Sequence, residues 1–262
     1  MPKTATYVFC VIAAARRLRV SAKARTLPDG GRVRLLDIEH GLYLAVADAP
    51  LGRYSEDAIN RGLANLEWVS RAAVAHEAVI ESFIGEIAIL PMKLFTIFTS
   101  DGRALEHIAA QRARIASLVK RVANHQEWGV RLVLDRNATE RASTSSAGRR
   151  GAATHSGAAG AAYLTRKKAQ RDIAVELATH ARETVAGLYD RLEGRSKLAK
   201  RRSASELPVE RGPLLLDAAF LVPRARAAAF KALAGREARA LSRQGYAMTV
   251  TGPWPPYTFV QD

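Results

Sequence analysis

The residues that come closest to a catalytic pattern are the neighbours His76 and Glu77, which match the start of a zinc-protease motif. That motif needs a second histidine four residues after the first, so that both rings bind one metal ion from the same helix face. Ile80 occupies that position here. His76 also lies on the apolar face of a predicted helix, where a lone histidine is typically a core residue. We therefore expect a structural role for His76, and an enzyme that uses His76 and Glu77 is the weakest alternative.

Other patterns that carry chemistry are absent from the sequence. Cys10 is the only cysteine, which excludes an internal disulfide, a cysteine-based zinc site and a redox pair of cysteines. No serine lies in a Gly-x-Ser-x-Gly turn, and no glycine cluster has the spacing of a phosphate-binding loop. From the residues we therefore expect no catalytic residue and no metal ligand, and we expect no cofactor and no small-molecule substrate.

The hydrophobic pattern predicts an α+β protein of two domains, at residues 1–125 and 126–262. In the N-terminal domain one long helix should run from the capping residue Ser55 to about residue 84, and a second should begin at Asp101. Runs of β-branched and aromatic residues predict the strands of this domain, at about 4–13, 33–39, 42–48 and 87–90.

The C-terminal domain has the predicted element order β-α-β-β-α-β, which is the ferredoxin-like arrangement. Its long helices are expected at about 161–193 and 224–243, and its strands at 128–134, 196–204, 214–222 and 246–251. Residues 137–160 are rich in Gly, Ala and Ser and contain no large aliphatic or aromatic residue. Because nothing in this stretch can anchor to a core, we predict a flexible insertion there.

The apolar stretch Tyr7–Ile12, followed by the small residues Ala13–Ala15, resembles a signal peptide. Its aromatic and β-branched residues nevertheless favour a first β-strand. No apolar stretch in the sequence approaches the ~20 residues that cross a bilayer. We therefore expect a cytoplasmic protein that does not enter a membrane.

The sequence is strongly basic, with 40 Lys and Arg against 25 Asp and Glu and a net charge of +15. Such a balance favours an anionic partner, which is nucleic acid, an anionic membrane or an acidic protein surface. The positive excess is spread over the chain, and the aromatic pattern that RNA-binding sheets display is missing. A basic RNA-binding protein on a ferredoxin-like scaffold is therefore the alternative interpretation, and nucleic acid is not the partner we expect.

Two segments are specific enough to indicate a family. The first motif, Ile89–Phe98, reads Ile-Leu-Pro-Met-Lys-Leu-Phe-Thr-Ile-Phe, and the second, Thr251–Val260, reads Thr-Gly-Pro-Trp-Pro-Pro-Tyr-Thr-Phe-Val. Together with Tyr7-Val8, Glu127–Val130 and Gly160–Leu164, they resemble the gas vesicle protein F/L family (GvpF/GvpL) over nearly the whole chain. This sequence has Lys-Leu-Phe at 93–95 where many members have Arg-Phe-Gly, a difference that resembles variation between subgroups.

The resemblance implies an accessory protein of gas vesicle formation, located in the cytoplasm and associated with gas vesicles. Family members resemble assembly factors or minor structural components that bind the apolar shell protein and other accessory gas vesicle proteins. The family implies two α+β domains, at least one of them ferredoxin-like, and no catalytic activity. An apolar shell subunit needs its strands and faces shielded before assembly, which a non-catalytic binding protein can do.

The aromatic residues of the second motif, Trp254, Tyr257 and Phe259, have two interpretations. The prolines around them exclude a regular helix or a central strand and predict a stiff extended arm. Its rings either plug the protein's own core or form an exposed site that binds the shell protein. The remaining motif residues are expected to be structural, namely Pro91, Met92, Lys93, Gly252 and Pro253.

Overall fold

The computed structural model describes residues 4–20, 26–39, 41–135, 159–202 and 212–261. Residues Met1–Glu127 and Pro253–Asp262 form one unit, and Trp128–Gly252 form a second. The second unit is therefore an insertion in the sequence of the first, whereas the predicted division assigned residues 253–262 to the second domain. The predicted flexible insertion lies outside the described residues, apart from its last two residues, which begin a helix.

The first unit contains an antiparallel sheet built around the most apolar segment of the sequence, β1. Strand β1 has neighbours on both edges and nine of its ten residues are buried, so the predicted strand at the N-terminus is confirmed. A register shift between Val8 and Cys10 lets the sequence neighbours Phe9 and Cys10 join the same core cluster. The strands lie in the order β2-β3-β1-β4, with β5 also pairing with β1: β1 (Thr4–Ala13), β2 (Arg34–Glu39), β3 (Leu42–Pro50), β4 (Ala88–Pro91) and β5 (Ile97–Phe98).

The predicted single helix from Ser55 to residue 84 is wrong, because the chain turns after Gly62. Ser55 Oγ accepts from Ala58 N–H and caps one helix, and Asn65 Oδ1 accepts from Trp68 N–H and caps the next. Gly62 lets the Trp68 ring pack against the backbone, since a Cβ there would lie 2.6 Å from that ring. The second predicted helix is likewise divided, at Gln111. The helices of this unit before residue 123 are α1 (Leu51–Tyr54), α2 (Glu56–Gly62), α3 (Leu66–Glu81), α4 (Asp101–Ala110) and α5 (Arg112–Val122).

Several of these helices pack against strands of the sheet in the first unit. Helix α3 contacts β1, and its buried face includes Trp68, His76 and Ile80. Helices α4 and α5 contact strands of the same sheet, and Asp101 in the first turn of α4 receives two hydrogen bonds from Arg34 of β2, at 2.6 and 2.8 Å. Helices α3, α4 and α5 therefore pack on a sheet whose central strand, β1, is buried.

The second unit has the element order β-α-β-β-α-β, and its α+β class is as predicted. Its core combines Trp128, Leu188, Phe220 and Phe230 from strands and both long helices. The strands lie in the order β7-β8-β6-β9, with β7 and β8 antiparallel. The ferredoxin-like arrangement of this unit stays a prediction. Its elements are β6 (His125–Leu134), α6 (Ala159–Glu193), β7 (Leu198–Arg201), β8 (Leu214–Pro223), a 3₁₀ turn (Arg224–Arg226), α7 (Ala227–Ser242) and β9 (Tyr246–Trp254).

The second motif begins as a strand and ends as a helical turn. Strand β9 continues through Gly252 and Pro253, which is possible because β9 is an edge strand and proline there removes no required ladder donor. The next element is α8 (Tyr257–Val260). The prediction that no helix forms in this motif is therefore wrong for its last four residues. Among the described residues, no helix is both long and apolar enough to cross a membrane.

Candidate functional site

His76 is buried in the first unit with both ring nitrogens hydrogen-bonded. Its Nδ1 lies 2.9 Å from Tyr7 Oη and its Nε2 lies 3.1 Å from the carbonyl oxygen of Met92. The same Tyr7 oxygen accepts from Phe95 N–H at 3.1 Å. Because a carbonyl can only accept, Nε2 carries the proton, and Nδ1 accepts from the Tyr7 hydroxyl. Every polar atom of this network is satisfied by a neutral imidazole.

The surroundings of His76 favour that neutral form. Burial lowers the pKa of His76, and the hydrogen bond to Met92 opposes this only in part. Burial also raises the pKa of Tyr7, which keeps its hydroxyl proton available for His76. The Phe9 ring lies close to the imidazole, with ring centroids 5.7 Å apart. The structure therefore places His76 on the buried face of α3, among aromatic rings.

The first motif fixes its backbone through this network. Pro91 pairs with Cys10 at the end of β4, and Met92 N–H donates to the Phe9 carbonyl at 2.9 Å. Thr96 closes a tight turn, because its N–H and its hydroxyl both donate to the Lys93 carbonyl, at 3.1 and 2.7 Å. Pro91 and Met92 are therefore held by the sheet and by His76, whereas the side chain of Lys93 is exposed.

Phe95 occupies the position where many members of the family that the sequence resembles have glycine. Its φ is +63°, in the left-handed region that glycine adopts without a steric penalty. The Phe95 ring stacks on Trp68, with centroids 5.3 Å apart and planes 5° from parallel. Stacking on Trp68 and the hydrogen bond to Tyr7 therefore offset the strain of a bulky residue in this conformation.

The end of the second motif is held on the first unit by side-chain hydrogen bonds. The Tyr257 hydroxyl donates to Glu77 Oε2 at 2.6 Å, and Arg121 Nη1 donates to the Phe259 carbonyl at 3.2 Å. Thr258 donates twice to Glu127, from its N–H at 2.7 Å and from its hydroxyl at 2.6 Å. Glu127 is 4% exposed, so these are charge-assisted bonds to a buried carboxylate.

Burial also shapes the ionisation of the Tyr257–Glu77 pair. Burial raises the pKa of Glu77, the hydrogen bond from Tyr257 opposes this, and the charge of Glu81 adds to it. The pKa of Tyr257 is raised, first by burial and then by the Glu77 carboxylate. Tyr257 therefore keeps its proton as the donor of this hydrogen bond far into the alkaline range.

The three aromatic residues of the second motif have different surroundings. Phe259 is 6% exposed and Tyr257 is half-buried in the first unit, whereas Trp254 is 39% exposed. The glycine that precedes them, Gly252, has φ +117°, which other residues rarely adopt. Phe259 and Tyr257 therefore pack on the protein itself, whereas the ring of Trp254 is exposed. A binding role for Trp254 stays a prediction.

The two motifs meet at one cleft of the first unit, which we call the motif cleft. The first motif contributes Pro91, Met92 and Lys93, and the end of the second contributes Val260, followed by Gln261. The cleft has a volume of about 350 Å³. Helices α4 and α5 complete it with polar residues at the rim and apolar residues below, namely His107, Ile108, Gln111, Arg114, Ile115 and Leu118. The sequence identified both motifs but could not show that they converge.

The part of the chain that the structure describes contains no group of three or more His, Cys, Asp or Glu that could hold a metal ion. Cys10 is fully buried, and burial raises the pKa of its thiol, which makes it a poor nucleophile.

Comparisons with known proteins agree with the motifs. A family model described as "Gas vesicle synthesis protein GvpL/GvpF" matches residues 5–261. Gas vesicle protein L of Streptomyces sp. (strain CB03234) is 28% identical over 236 residues, which cover 85% of this chain and 81% of that protein. The match to the family model spans nearly the whole chain, including both units.

Solved structures show the same fold at low sequence identity. The crystal structure of the gas vesicle protein GvpF from Anabaena sp. PCC7120 has a TM-score of 0.69 at 16% identity, covering 99% of both chains. The crystal structure of gas vesicle protein GvpF from Microcystis aeruginosa has a TM-score of 0.59 at 14% identity, covering 98% of this chain and 99% of that one.

Proposed function

The chain belongs to the GvpL/GvpF family of gas vesicle synthesis proteins, and from this premise we propose that it is an assembly factor or minor structural component of gas vesicles. In this role it binds the gas vesicle shell protein and other accessory gas vesicle proteins. The observation that carries the proposal is the family match over residues 5–261. The protein acts in the cytoplasm at gas vesicles, without a cofactor and without catalysing a reaction.

Exposed apolar side chains on several elements support a binding role. Leu66 on α3 is 81% exposed and Leu177 on α6 is 62% exposed. Trp254 adds an exposed ring at the end of β9. Single exposed apolar side chains are common on protein surfaces, but such groups, and an exposed tryptophan ring above all, can contribute to an interface. An apolar shell subunit is a suitable partner for them, because its own faces need cover before assembly.

The charge of the chain supports the same proposal in a second way. A net charge of +15 attracts acidic partner surfaces at long range and is screened by salt, because the Debye length is about 8 Å at physiological ionic strength. We therefore expect association with acidic accessory proteins to weaken as salt rises. Contacts through exposed apolar groups should persist.

A capture experiment tests the proposed function. The tagged chain is co-expressed with the shell protein and purified at about 50 mM and about 500 mM salt, with an unrelated protein of similar basic charge as the control. We expect the chain, but not the control, to retain the shell protein. Capture by both proteins, or by neither, would contradict the proposal. Loss of all partners after ribonuclease treatment would instead favour the RNA-binding alternative.

A further inference from the structure

A second pocket of the first unit, separate from the motif cleft, contains a cluster of arginines. We call it the arginine pocket, and its volume is about 450 Å³. Helices α1, α2 and α3 each contribute one arginine to its lining, namely Arg53, Arg61 and Arg71. The loop before β2 contributes one carboxylate, Asp29. Three positive charges therefore meet one negative charge among the lining residues that the structure describes.

The walls of the arginine pocket are held by contacts within the first unit. Trp68 lines the pocket and is 7% exposed, and Phe95 stacks on its ring. The loop before β2 is fixed by the Tyr54 hydroxyl, which donates to the Pro28 carbonyl at 2.7 Å. The pocket is therefore preformed, and a ligand that enters it does not bear the cost of ordering its walls.

Arg61 is the arginine of this pocket for which the structure shows no partner. Its guanidinium forms no ion pair and no hydrogen bond with any described residue, and this includes Asp57, one turn earlier on α2. An arginine presents five N–H donors in a planar fork that matches the two oxygens of a carboxylate. Arg61 can therefore bind a carboxylate without first giving up a contact to a described residue.

The two remaining arginines hold their partners loosely. Arg53 Nε lies 3.4 Å from Asp29 Oδ2, and Arg71 Nε lies 3.9 Å from Glu67 Oε1. Both separations are longer than the about 2.8 Å that is typical of charge-assisted hydrogen bonds. All four side chains are more than half exposed, and ion pairs of this kind contribute little to stability. Either arginine can therefore turn toward an incoming anion at small cost.

Two exposed leucines flank the arginine pocket. Leu63 directly follows the lining residue Gly62 and is 55% exposed, and Leu66 directly follows the lining residue Asn65 and is 81% exposed. The corner between α2 and α3 therefore presents aliphatic surface beside guanidinium groups. A ligand that carries both a carboxylate and an aliphatic group gains from both kinds of contact.

These surroundings favour a protein segment over other ligands. An inorganic anion could pair with the arginines but would leave the leucines uncovered. Single-stranded nucleic acid needs exposed aromatic faces, whereas Trp68, the aromatic residue of the lining, is nearly buried and stacked on Phe95. A second copy of this chain would carry the same net charge of +15 and would be repelled.

We propose that the arginine pocket binds an acidic segment of an accessory gas vesicle protein, in which Asp or Glu side chains lie beside Leu, Ile or Val. A carboxylate of the segment accepts from Arg61, and a neighbouring carboxylate accepts from Arg53 or Arg71. The aliphatic side chains pack on Leu63 and Leu66. This inference rests on the proposed function, because it identifies the chemistry by which one partner is recognised.

A peptide titration tests the arginine pocket on the full chain. The test peptide is acetyl-Leu-Asp-Glu-Leu-amide. Its uncharged form, acetyl-Leu-Asn-Gln-Leu-amide, keeps the leucines, and the alanine peptide, acetyl-Ala-Asp-Glu-Ala-amide, keeps the acids. We expect saturable shifts of the backbone amides of Arg61, Gly62 and Arg71 in NMR spectra with the test peptide. Each of the other two peptides should bind about tenfold more weakly, because it lacks one of the two kinds of contact.

Inorganic phosphate and a short RNA oligonucleotide separate a protein segment from other anions. We expect each to bind at these amides more weakly than the test peptide, since neither can cover the leucines. Phosphate binding as tight as that of the test peptide would show that charge alone is recognised. Tighter binding of the RNA at the same amides would favour nucleic acid. Either result would overturn the proposal.

Three variants make the titration specific, and all three positions are exposed, so each variant should fold like the wild type. Arg61→Gln should weaken binding of the test peptide about tenfold, because a charged donor is lost. Leu66→Gln should weaken binding of the test peptide but not of the alanine peptide. Arg17→Gln is the matched control, since Arg17 lies outside the pocket.

Three outcomes of the titration would overturn the proposal. The first is unchanged binding of the test peptide in Arg61→Gln. The second is equal binding of the test peptide and its uncharged form by the wild-type chain. The third is absence of binding of the test peptide by the wild-type chain.

The capture experiment separates this inference from the proposed function. If the wild-type chain captures an accessory gas vesicle protein and Arg61→Glu captures it equally, the arginine pocket is not the recognition site, while the proposed function stands. If the wild-type chain captures no gas vesicle protein, the proposed function fails, and the peptide titration still decides whether the pocket binds an acidic segment.

Discussion

The hydroxyl group of Thr258 lies 2.6 Å from the carboxylate of Glu127, which is the last residue of the first unit before the chain continues into the second. This contact joins the two chain segments that build the first unit. The returning segment is short, and its helical turn contributes two buried side chains, Phe259 and Val260. Polar contacts therefore carry much of its attachment, and a buried carboxylate makes them strong.

Removal of the Thr258 hydroxyl should destabilise the first unit. Thr258→Val keeps the shape and the N–H donor but takes one charge-assisted hydrogen bond from the buried Glu127 carboxylate. We expect a loss of about 1–3 kcal/mol in the free energy of unfolding, measured by urea titration. Thr99→Val, at an exposed position, should change it by less than about 0.5 kcal/mol. Equal stability of the two variants would show that the Glu127 contact is unimportant.

At position 95, a glycine variant should be more stable than an alanine variant, which is the reverse of the usual order. Both Phe95→Ala and Phe95→Gly remove the ring that stacks on Trp68. Only glycine relieves the positive φ, so Phe95→Gly should be more stable than Phe95→Ala by about 1 kcal/mol, measured by thermal or urea unfolding. At an ordinary position alanine is the more stable of the two. Finding that usual order here would mean that the left-handed conformation carries no strain.

Much of the fold follows from local sequence signals. Strand β1 is recognisable from its β-branched and aromatic residues, and the ends of the long helices lie near the predicted positions. The break between α2 and α3 was missed because the apolar spacing continues across it. Asn65 is a capping residue that could have signalled a new start, but the close packing of Trp68 on Gly62 is a tertiary contact.

The candidate site was harder to predict for a physical reason. Lys93 and Val260 are far apart in the sequence, and only the docking of the C-terminal segment brings them to one cleft. Glutamate is usually a surface residue, and nothing in the neighbouring sequence shows that the carboxylate of Glu127 is buried against Thr258. The motif segments themselves could be identified from the sequence, because they resemble segments of the GvpF/GvpL family.

The stability of the first unit should depend on pH through His76. Its pKa is lowered in the folded chain, so below the ordinary value of about 6.5 the unfolded chain binds more protons than the folded one. The His76 contribution is therefore complete above that value and decreases as the pH falls. Glu77 acts in the opposite direction, because its raised pKa favours proton binding in the folded chain.

A comparison with the His76→Gln variant isolates the contribution of His76 to the pH dependence of stability. The glutamine amide can still donate to the Met92 carbonyl and accept from Tyr7, but it does not titrate. We expect the free energy of unfolding to fall more steeply between pH 7.5 and pH 5.5 in the wild-type chain than in His76→Gln, by about 1 kcal/mol over the range. Parallel pH profiles would mean that His76 is not held neutral in the folded state.

The two ends of the second motif should separate stability from binding. Phe259 is buried, so Phe259→Ala should destabilise the chain by about 3–5 kcal/mol and disturb the motif cleft. Trp254 is 39% exposed, so Trp254→Ala should change stability by less than about 1 kcal/mol. If Trp254 binds the shell protein, this variant should melt like the wild type and yet fail to capture that protein, because exposed aromatic rings anchor interfaces. A Trp254→Ala variant that is fully stable and captures the shell protein normally would show that this ring has no binding role.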